Sequence, residues 1–327
     1  MQSVTVQTHA NISLIKYWGK RDEILFLPTK SSLCIALSEL TTTTSITDAA
    51  SDQDEISINW QTAPEASRKK IVDFITLFRT MYGIKQVFSI TTHNNFPTAA
   101  GLASSSSGFA ALALALNAFC NLNLSEQELS VLARQGSGSA CRSVCGGFIT
   151  WHKGQNVLGT DSYAEQTFNA QHWPEFRILV IVVRNDAKKV SSREGMRITT
   201  DTSPSYQTWL SNSAQRMPLM VNAIEKKDFE QVGELATADW TDMEQTMLDS
   251  QPQLDYWTPT SREVMRTIQT LRSAGVPCYF TTEAGPNIKL ICLEENVQTI
   301  MKTLQCIDGV LSIIPCKVAE APIVTIQ

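Results

Sequence analysis

The sequence has little charge and no long apolar or basic run. Charged residues make up 18% of its 327 positions, and 27 Lys and Arg against 32 Asp and Glu give a net charge of −5. Binding to nucleic acid or an anionic membrane over a broad surface requires a basic excess, so both classes of partner are excluded. The longest apolar stretches, at 109–116 and 178–183, are too short to cross a bilayer, which takes about 20 residues. Any anionic ligand must therefore be held by a local site.

The sequence also lacks signals for export and for cross-linking. Residues 1–7 show no basic region followed by an apolar one, so they do not resemble a secretory leader. The eight cysteines form no C-x-x-C pair and have no histidine at zinc-finger spacing. With 43% hydrophobic residues and only 15 Gly and 12 Pro, the composition is typical of a folded, globular protein. We therefore expect a cytoplasmic protein with reduced thiols.

The hydrophobic pattern changes near residue 185, which predicts two domains, 1–185 and 186–327. Strands are predicted in the first domain at 4–8, 33–37, 41–44, 56–60, 87–92 and 176–183. Helices are predicted there at 71–81, 102–119 and 125–134, the last with a capping box at its start. The second domain is predicted to hold long helices at 206–226, 228–247 and 261–274, strands at 278–282, 288–293 and 310–315, and a helix at 295–306. Helices on one face of a sheet make α+β the expected fold class.

The most informative segment is 95–108, which has small residues and four consecutive serines, at 104–107, between a predicted strand and a predicted helix. Small side chains let a phosphate approach the backbone, and the amides at a helix N-terminus attract it. Serine hydroxyls add donors or a magnesium contact. The alternative is a helix cap packed through small residues, although four serines exceed what capping requires.

Common nucleotide-binding and hydrolase motifs are absent. No G-x-x-x-x-G-K-[ST] occurs, and the stretch 136–141 fails the dinucleotide fingerprint because Cys141 stands at the third glycine position. The sequence also contains no G-x-S-x-G, which removes the usual argument for an α/β-hydrolase. The remaining interpretation is a phosphate-binding site in a protein with a different fold.

Further donors lie in short clusters. In the stretch 133–143, Arg142 offers a planar fork for a carboxylate or phosphate, or alternatively makes a surface ion pair while Arg134 caps a helix. Three cations lie within 16–21, a grouping usually found in a solvated loop. Another patch lies at 188–193, and an acidic turn at 283–287 holds either a base or only a turn cap. Together they predict a small polyanion site for phosphoryl chemistry.

These segments resemble the mevalonate diphosphate decarboxylase family, within the superfamily of galactokinase, homoserine kinase, mevalonate kinase and phosphomevalonate kinase. The resemblance is carried in order by 9–21 with K-Y-W-G-K, 95–105, R-x-G-S-G-S-A-x-R-S at 134–143, 191–196, and A-G-P-N at 284–287. It implies an N-terminal ATP-binding α+β domain with a left-handed crossover, a C-terminal ferredoxin-like domain, and an active site in the cleft between them. It also implies that MgATP phosphorylates the tertiary 3-hydroxyl of mevalonate 5-diphosphate, after which phosphate and carbon dioxide leave to give isopentenyl diphosphate.

The same resemblance implies the roles of individual residues. Three would act at the reacting centre: Glu283, Arg142 and Lys20. The substrate, chiefly its diphosphate and carboxylate, would be bound by Lys16, Tyr17, Ser139, Arg142, Ser192 and Arg193. ATP would be held by Gly101, Ala103, Ser104, Ser105 and Ser106, with Ser105 also binding Mg²⁺.

The sequence departs from the family pattern at the acid. The family has aspartate immediately before A-G-P-N, whereas this chain has Glu283, which is one methylene longer. That leaves open a kinase of the same fold, which would phosphorylate a mevalonate derivative without decarboxylating it. A ligand-binding or assembly protein without activity is another alternative. The resemblance further implies a homodimer, with neither nucleic acid nor membrane as a partner.

Overall fold

The computed structural model describes residues 2–96, 104–184 and 190–327. Its strands are β1 (Ser3–Ile15), β2 (Lys20–Asp22), β3 (Leu27–Pro28), β4 (Ser32–Asp48), β5 (Glu55–Ile58), β6 (Gln61–Thr62), β7 (Phe88–Asn94), β8 (Phe148–Trp151), β9 (Ala164–Phe168), β10 (Phe176–Val182), β11 (Cys278–Thr282), β12 (Ile288–Leu293), β13 (Ser312–Lys317) and β14 (Ile323–Ile326). Its α-helices are α1 (Glu65–Tyr82), α2 (Ser104–Phe119), α3 (Glu126–Gly136), α4 (Ser192–Thr202), α5 (Tyr206–Glu225), α6 (Phe229–Leu248), α7 (Pro259–Ser273) and α8 (Val297–Leu304). Short 3₁₀-helices cover Gly138–Val144, Ala170–His172 and Glu294–Asn296.

The first sheet has eight strands, in the order β14-β1-β4-β7-β5-β6, with β8 paired to β4 and β9 to β8. Strand β4 is 17 residues long and carries three neighbours, so the predicted strands at 33–37 and 41–44 are one element. Helix α2 packs on β1 and β4. Its alanines and leucines are buried along most of its length, which lets its N-terminus lie close to the sheet.

Strand β1 is irregular where it approaches the second domain. Its pairing register with β4 shifts between His9 and Asn11 and again between Ser13 and Ile15. Such bulges bend a strand and turn its backbone groups away from the ladder. The backbone of Ser13 is thereby available to a partner outside the sheet.

The second sheet is antiparallel, with the order β11-β12-β10-β13. The succession of one strand, helices, two strands, a helix and a last strand in this order is the ferredoxin-like arrangement that the resemblance implied. All residues of β10 are buried, which explains why every one of them except Arg177 is apolar. By hydrogen bonding, β10 belongs to the second sheet although it precedes residue 185, and β14 returns to the first sheet; the division at 185 itself stays a prediction.

Several elements differ from their predicted form. Of the donor patch at 188–193, residues 188 and 189 lie outside the described residues, and Ser192 begins a helix, α4, whose N-cap Ser191 accepts a hydrogen bond from the Glu194 amide. The predicted helix at 295–306 is a 3₁₀ turn followed by the shorter α8. The capping box of α3 is confirmed, since Ser125 and Glu128 exchange hydrogen bonds. In the described ranges, no helix is both long and apolar enough to span a bilayer.

Candidate active site

A cavity of about 730 Å³ lies where the two domains meet. It is lined by side chains from the start of α2, the 3₁₀-helix at 138–144, the segment after β1, the start of α4 and the loop after β11. The predicted site residues on its wall are Tyr17, Lys20, Ser104, Ser105, Ser106, Ser139, Arg142, Ser192, Arg193 and Glu283. Segments separated by more than 250 positions in the sequence thus share one cavity, as the polyanion-site hypothesis requires. Gly101 and Ala103, predicted to bind ATP, lie outside the described residues.

Three serines at the start of α2 line the cavity. The hydroxyl of Ser106 is hydrogen-bonded to that of Ser139, and the hydroxyls of Ser105 and Ser137 are 3.3 Å apart. The helix dipole and these hydroxyls make a suitable environment for phosphate oxygens. The fourth serine, Ser107, has a structural role: it is buried and its Oγ lies 2.6 Å from Thr42 Oγ1.

Glu283 also lines the cavity, directly after the last residue of β11. Its Oε1 accepts hydrogen bonds from the Ser13 amide, at 2.9 Å, and from Lys16 Nζ, at 3.3 Å. Its side chain is 24% exposed, so the carboxyl group is held from behind while part of it faces the cavity. Burial by itself raises the pKa of this carboxyl, but the charges of Lys16 and Arg142 and the Ser13 amide more than offset it, and the net pKa is lowered. Glu283 is therefore an ionised carboxylate at neutral pH.

The strand end that carries Glu283 is firmly anchored. The hydroxyl of Thr282 accepts from two indole groups, Trp240 Nε1 at 2.7 Å and Trp257 Nε1 at 3.2 Å. The Gly285 amide donates to the Glu283 carbonyl at 2.7 Å and closes the turn. These bonds fix the backbone from which the longer glutamate side chain reaches back toward β1.

Lys16 is placed differently from its predicted role. Its side chain is fully buried and absent from the cavity wall, because its ammonium group turns inward and donates to the Ser13 carbonyl at 2.9 Å and to Glu283. Burial is the largest influence on its pKa, which is lowered despite the attraction of Glu283 and Asp239. The stretch 16–21 is therefore not a solvated loop, and Lys16 contacts the acid rather than the space where a substrate would bind.

Arg142 reaches the cavity close to Glu283. Its Nη1 donates to Ser13 Oγ at 2.6 Å, and the residue is only 3% exposed. Its Nε is buried and has no hydrogen-bond partner among the described residues. Arg142 lines the cavity, and a guanidinium group there is suited to an anionic ligand. The geometry excludes the surface ion pair considered above for Arg142.

Two further cations share one aromatic ring. Lys20 Nζ lies 5.4 Å and Arg193 Cζ 4.7 Å from the centroid of the Phe26 ring. Lys20 is also 2.5 Å from a carboxylate oxygen of Glu23, so it is an ion-paired group of the β2–β3 hairpin. Phe26 holds the two cations next to each other on the cavity wall, where both can face an anion.

Tyr17 provides a neutral donor near the same wall. Its ring packs on Trp151 at 4.6 Å, and its buried hydroxyl has no hydrogen-bond partner among the described residues. Burial raises the pKa of this phenol, so it stays protonated. A Cβ at Gly138 would lie 2.5 Å from the hydroxyl, which explains the glycine at that position.

Sequence reasoning assigned no role to several residues that line the cavity. Asn11 donates from Nδ2 to Ser143 Oγ at 2.8 Å and leaves its buried Oδ1 without a partner among the described residues. Ser67 and Lys70 of α1 and Asn94 of β7 also line the cavity. Asn11 lies within the resembling segment and could have been singled out, but the others belong to no local motif.

Arg134 lies beneath the site instead of capping a helix. Its fully buried guanidinium donates to the carbonyls of Leu25, at 3.0 Å, of Gly159, at 2.8 Å, and of Ser162. It therefore ties the β2–β3 hairpin, which bears Lys20, to the loop at 154–162.

We expect Arg134→Met to lower the free energy of unfolding by about 2 kcal/mol, because it leaves buried carbonyls without donors. Chemical denaturation measured by circular dichroism checks this. The control is Arg21→Met, since exposed Arg21 donates to carbonyls of the neighbouring loop, Lys153 and Asn156, and should cost under about 1 kcal/mol. Equal denaturation midpoints for the two variants would contradict the role assigned to Arg134.

Comparisons with known proteins agree with this geometry. The family described as diphosphomevalonate decarboxylase-like N-terminal domain matches residues 8–164, and the mevalonate 5-diphosphate decarboxylase C-terminal domain matches residues 178–319. Diphosphomevalonate decarboxylase mvd1 of Aspergillus fumigatus is 37% identical over 324 residues, covering 93% of this chain and 80% of that protein. The diphosphomevalonate decarboxylase of Candida albicans is 35% identical and covers 93% of this chain and 88% of its own.

Solved structures match over the whole chain. The mevalonate diphosphate decarboxylase of Staphylococcus aureus has a TM-score of 0.93 and 37% identity, covering 100% of this chain and 98% of that one. The structure described as MDDEF in complex with MVAPP, AMPPCP and magnesium has a TM-score of 0.91 and 38% identity, covering 100% of both chains. This similarity confirms the two-domain α+β fold that the resemblance implied. The chain therefore belongs to the diphosphomevalonate decarboxylase family.

Proposed function

We propose that this protein uses ATP to decarboxylate mevalonate 5-diphosphate, giving isopentenyl diphosphate, ADP, phosphate and carbon dioxide. The observation that carries the proposal is the single cavity, which joins the serines at the start of α2 to an ionised Glu283 beside Arg142. Family membership supports the same reaction, because relatives bear the name of this decarboxylase and a solved relative was described with MVAPP, an ATP analogue and magnesium.

ATP and its magnesium are co-substrates of the proposed reaction. Ser104, Ser105 and Ser106 fit the nucleotide phosphates, since they combine hydroxyl donors with a helix N-terminus. Ser105 is the proposed hydroxyl contact to Mg²⁺. The described residues contain no cluster of three or more His, Cys, Asp or Glu side chains that could hold a metal ion. Bound with ATP, Mg²⁺ would neutralise charge on the phosphates.

The acid–base part of the reaction falls to Glu283. A tertiary hydroxyl is a poor leaving group until it is phosphorylated, and its proton must leave as its oxygen attacks the γ-phosphoryl group. Glu283 can accept or orient that proton because Lys16 and the Ser13 amide hold the carboxylate at one oxygen. Loss of phosphate then draws the electrons of the carbon–carboxylate bond toward C3, which releases carbon dioxide and forms the double bond.

The remaining cavity residues orient the substrate in this proposal. Arg142 and Ser139 bind its carboxylate and neighbouring hydroxyl, which keeps the breaking bond aligned with the leaving phosphate. Its diphosphate is bound by Tyr17, Ser192 and Arg193, while Lys20 supports the reacting centre. The burial of Lys16 removes it from this group, so Lys16 is proposed to act through Glu283.

Ser192 supplies a hydroxyl at the start of α4, and Ser192→Ala should mainly raise the KM for mevalonate 5-diphosphate. Removing one hydrogen bond to a charged group costs about 1–3 kcal/mol, equivalent to a roughly 5- to 150-fold increase. Steady-state kinetics check this, with Ser211→Ala on the exposed side of α5 as control. A variant with unchanged KM and reduced kcat would contradict a substrate-binding role for Ser192.

Product identification tests the proposed function. The purified protein is incubated with mevalonate 5-diphosphate and MgATP, and the products are followed by phosphorus and proton NMR. We expect isopentenyl diphosphate to form. Mevalonate 5-phosphate should be decarboxylated far more slowly, because it lacks one of the two phosphates that the proposed diphosphate-binding residues contact. Failure to form isopentenyl diphosphate would reject the proposal.

We further propose a cytoplasmic homodimer. Cytoplasmic location is supported by the thiols, since all eight cysteines lie in the described residues and none is paired. A dimer is supported by β14, a sheet-edge strand whose Ile323, Val324 and Ile326 are exposed. Sedimentation velocity would distinguish a dimer from a monomer.

A further inference from the structure

Two buried charged side chains form hydrogen bonds with the backbone amide and the backbone carbonyl of Lys16. The Lys16 amide donates to Asp239 Oδ2 at 2.7 Å, and the Lys16 carbonyl accepts from Lys30 Nζ at 2.5 Å. Asp239 is fully buried and Lys30 is 6% exposed. Neither residue lines the cavity, so neither can touch a substrate there.

Asp239 belongs to the second domain, so its hydrogen bond to Lys16 joins the two domains. It lies on α6, where Arg216 of α5 approaches its Oδ1 at 3.6 Å and also pairs with Asp242 at 2.8 Å. The carboxylate is thereby held in place on the helix side. The Lys16 segment, which follows β1 of the first domain, is fixed to the same domain that carries Glu283.

Lys30 is a buried ammonium group without a close counter-ion. Among the described residues no carboxylate lies within 4.0 Å of it; its contacts are the carbonyls of Lys16 and Ser31 and the face of Trp209, 4.8 Å from the ring centroid. Burying an ammonium group in this way is costly, and packing alone would favour an apolar side chain. The positive charge of Lys30 therefore indicates a role other than packing.

We propose that Asp239 and Lys30 are positioning residues, which clamp the Lys16 backbone so that its ammonium group is directed at Glu283. The inference rests on the proposed function, because it assigns the proton of the reacting hydroxyl to Glu283. Lys16 Nζ is then held between the Ser13 carbonyl and the carboxylate, and the carboxylate between Lys16 and the Ser13 amide. A shift of the Lys16 peptide would move the acid relative to the substrate, and small displacements of reacting groups have large effects on rate.

The clamp has a pH dependence of definite sign. Burial, the largest influence, lowers the pKa of Lys30 to about 8; nearby Arg142, Lys16 and Arg216 lower it further, and Asp239 opposes them. The ammonium is therefore present below about pH 8 and is lost above it. A neutral amine is a weaker donor to the Lys16 carbonyl, so the rate of the chemical step should fall as pH rises through this range.

The test compares wild type with Lys30→Met in single-turnover measurements of ADP formation from about pH 6.5 to about pH 9.5. At about pH 7, Lys30→Met should be slower by about 10-fold, with KM values for both substrates within about 2-fold of wild type. Its profile should lack the decline near pH 8. Lys16 and Lys30 lower each other's pKa, so the comparison reads the loss of the decline near pH 8 and not a simple difference between the two profiles.

Asp239→Asn provides a second test that does not depend on the folding of Lys30→Met. The amide has the shape of the carboxylate and can still accept the Lys16 amide, but it lacks the charge, and we expect a similar loss of about 10-fold with unchanged KM values. Lys69→Met and Asp73→Asn, which change an exposed ion pair of α1, are the controls.

A variant at either position that folds and has the wild-type rate would overturn the proposal. It would also be overturned if the rate of Lys30→Met declined near pH 8 as steeply as the rate of wild type does. Wild-type protein that forms no ADP with mevalonate 5-diphosphate would instead reject the proposed function itself. The two failures are therefore distinguishable.

Discussion

Replacing Glu283 with glutamine should lower turnover by about 1,000-fold while ATP and mevalonate 5-diphosphate still bind, since general acid–base groups contribute roughly 10²- to 10⁴-fold. Glutamine has nearly the same shape and can still accept the Ser13 amide hydrogen bond, which Oε1 receives at 2.9 Å. It cannot accept the proton of the substrate hydroxyl. Initial rates of ADP and carbon dioxide formation, with binding measured by calorimetry, check the expectation.

Two further variants sharpen this prediction. Glu283→Asp should be less active than wild type, because its shorter arm would fall short of the Ser13 amide and Lys16 from a backbone fixed by the Thr282 bonds. Glu263→Gln, on the exposed face of α7, is the matched control and should have the wild-type rate. If Glu283→Gln keeps more than about a tenth of the wild-type rate, a loss below about 1.4 kcal/mol, another group must be the catalytic carboxylate.

Arg142→Lys should lower turnover by at least about 100-fold and leave folding and ATP binding nearly intact. Lysine keeps the positive charge, but a point charge cannot reproduce the two parallel hydrogen bonds of a guanidinium to a carboxylate. It also cannot both donate to Ser13 Oγ, as Nη1 does at 2.6 Å, and offer a second donor at the position of Nε. Steady-state kinetics and thermal unfolding of the variant test both parts of the prediction.

The control for this variant is Arg21→Lys, which makes the same substitution at an exposed position of β2. It should change neither rate nor stability measurably. Near-normal turnover of Arg142→Lys would place Arg142 outside the reaction, and a large loss of stability would show that its role is structural.

The parts of the fold that sequence reasoning predicted are those with a strong local signal. Burial on both faces makes residues 178–182 of β10 a continuous apolar run, and the Ser125 capping box defines the start of α3. Four serines before an apolar helix likewise predicted one wall of the cavity, three of them on its surface. Such features depend on neighbours in the sequence, so a single chain reveals them.

The parts that escaped prediction depend on distant partners. A group of cations is usually solvated, but Lys16 is buried, and its ammonium group donates a hydrogen bond to Glu283, which lies 267 residues away in the sequence. Nothing near Lys30 or Asp239 in the sequence indicates that both contact the same peptide. Strand β14 pairs with β1 from the other end of the chain, a long-range contact that no local pattern specifies.

The ratio of carbon dioxide to ADP tests the central claim most directly. Protein is mixed with MgATP and mevalonate 5-diphosphate labelled with ¹⁴C at its carboxyl carbon, and trapped label is compared with ADP over the same interval. Phosphorylation followed by loss of phosphate and the carboxylate predicts equal amounts at every time point. ADP without labelled carbon dioxide would contradict decarboxylation and indicate a 3-hydroxyl kinase, and the absence of both products would contradict catalysis by this site.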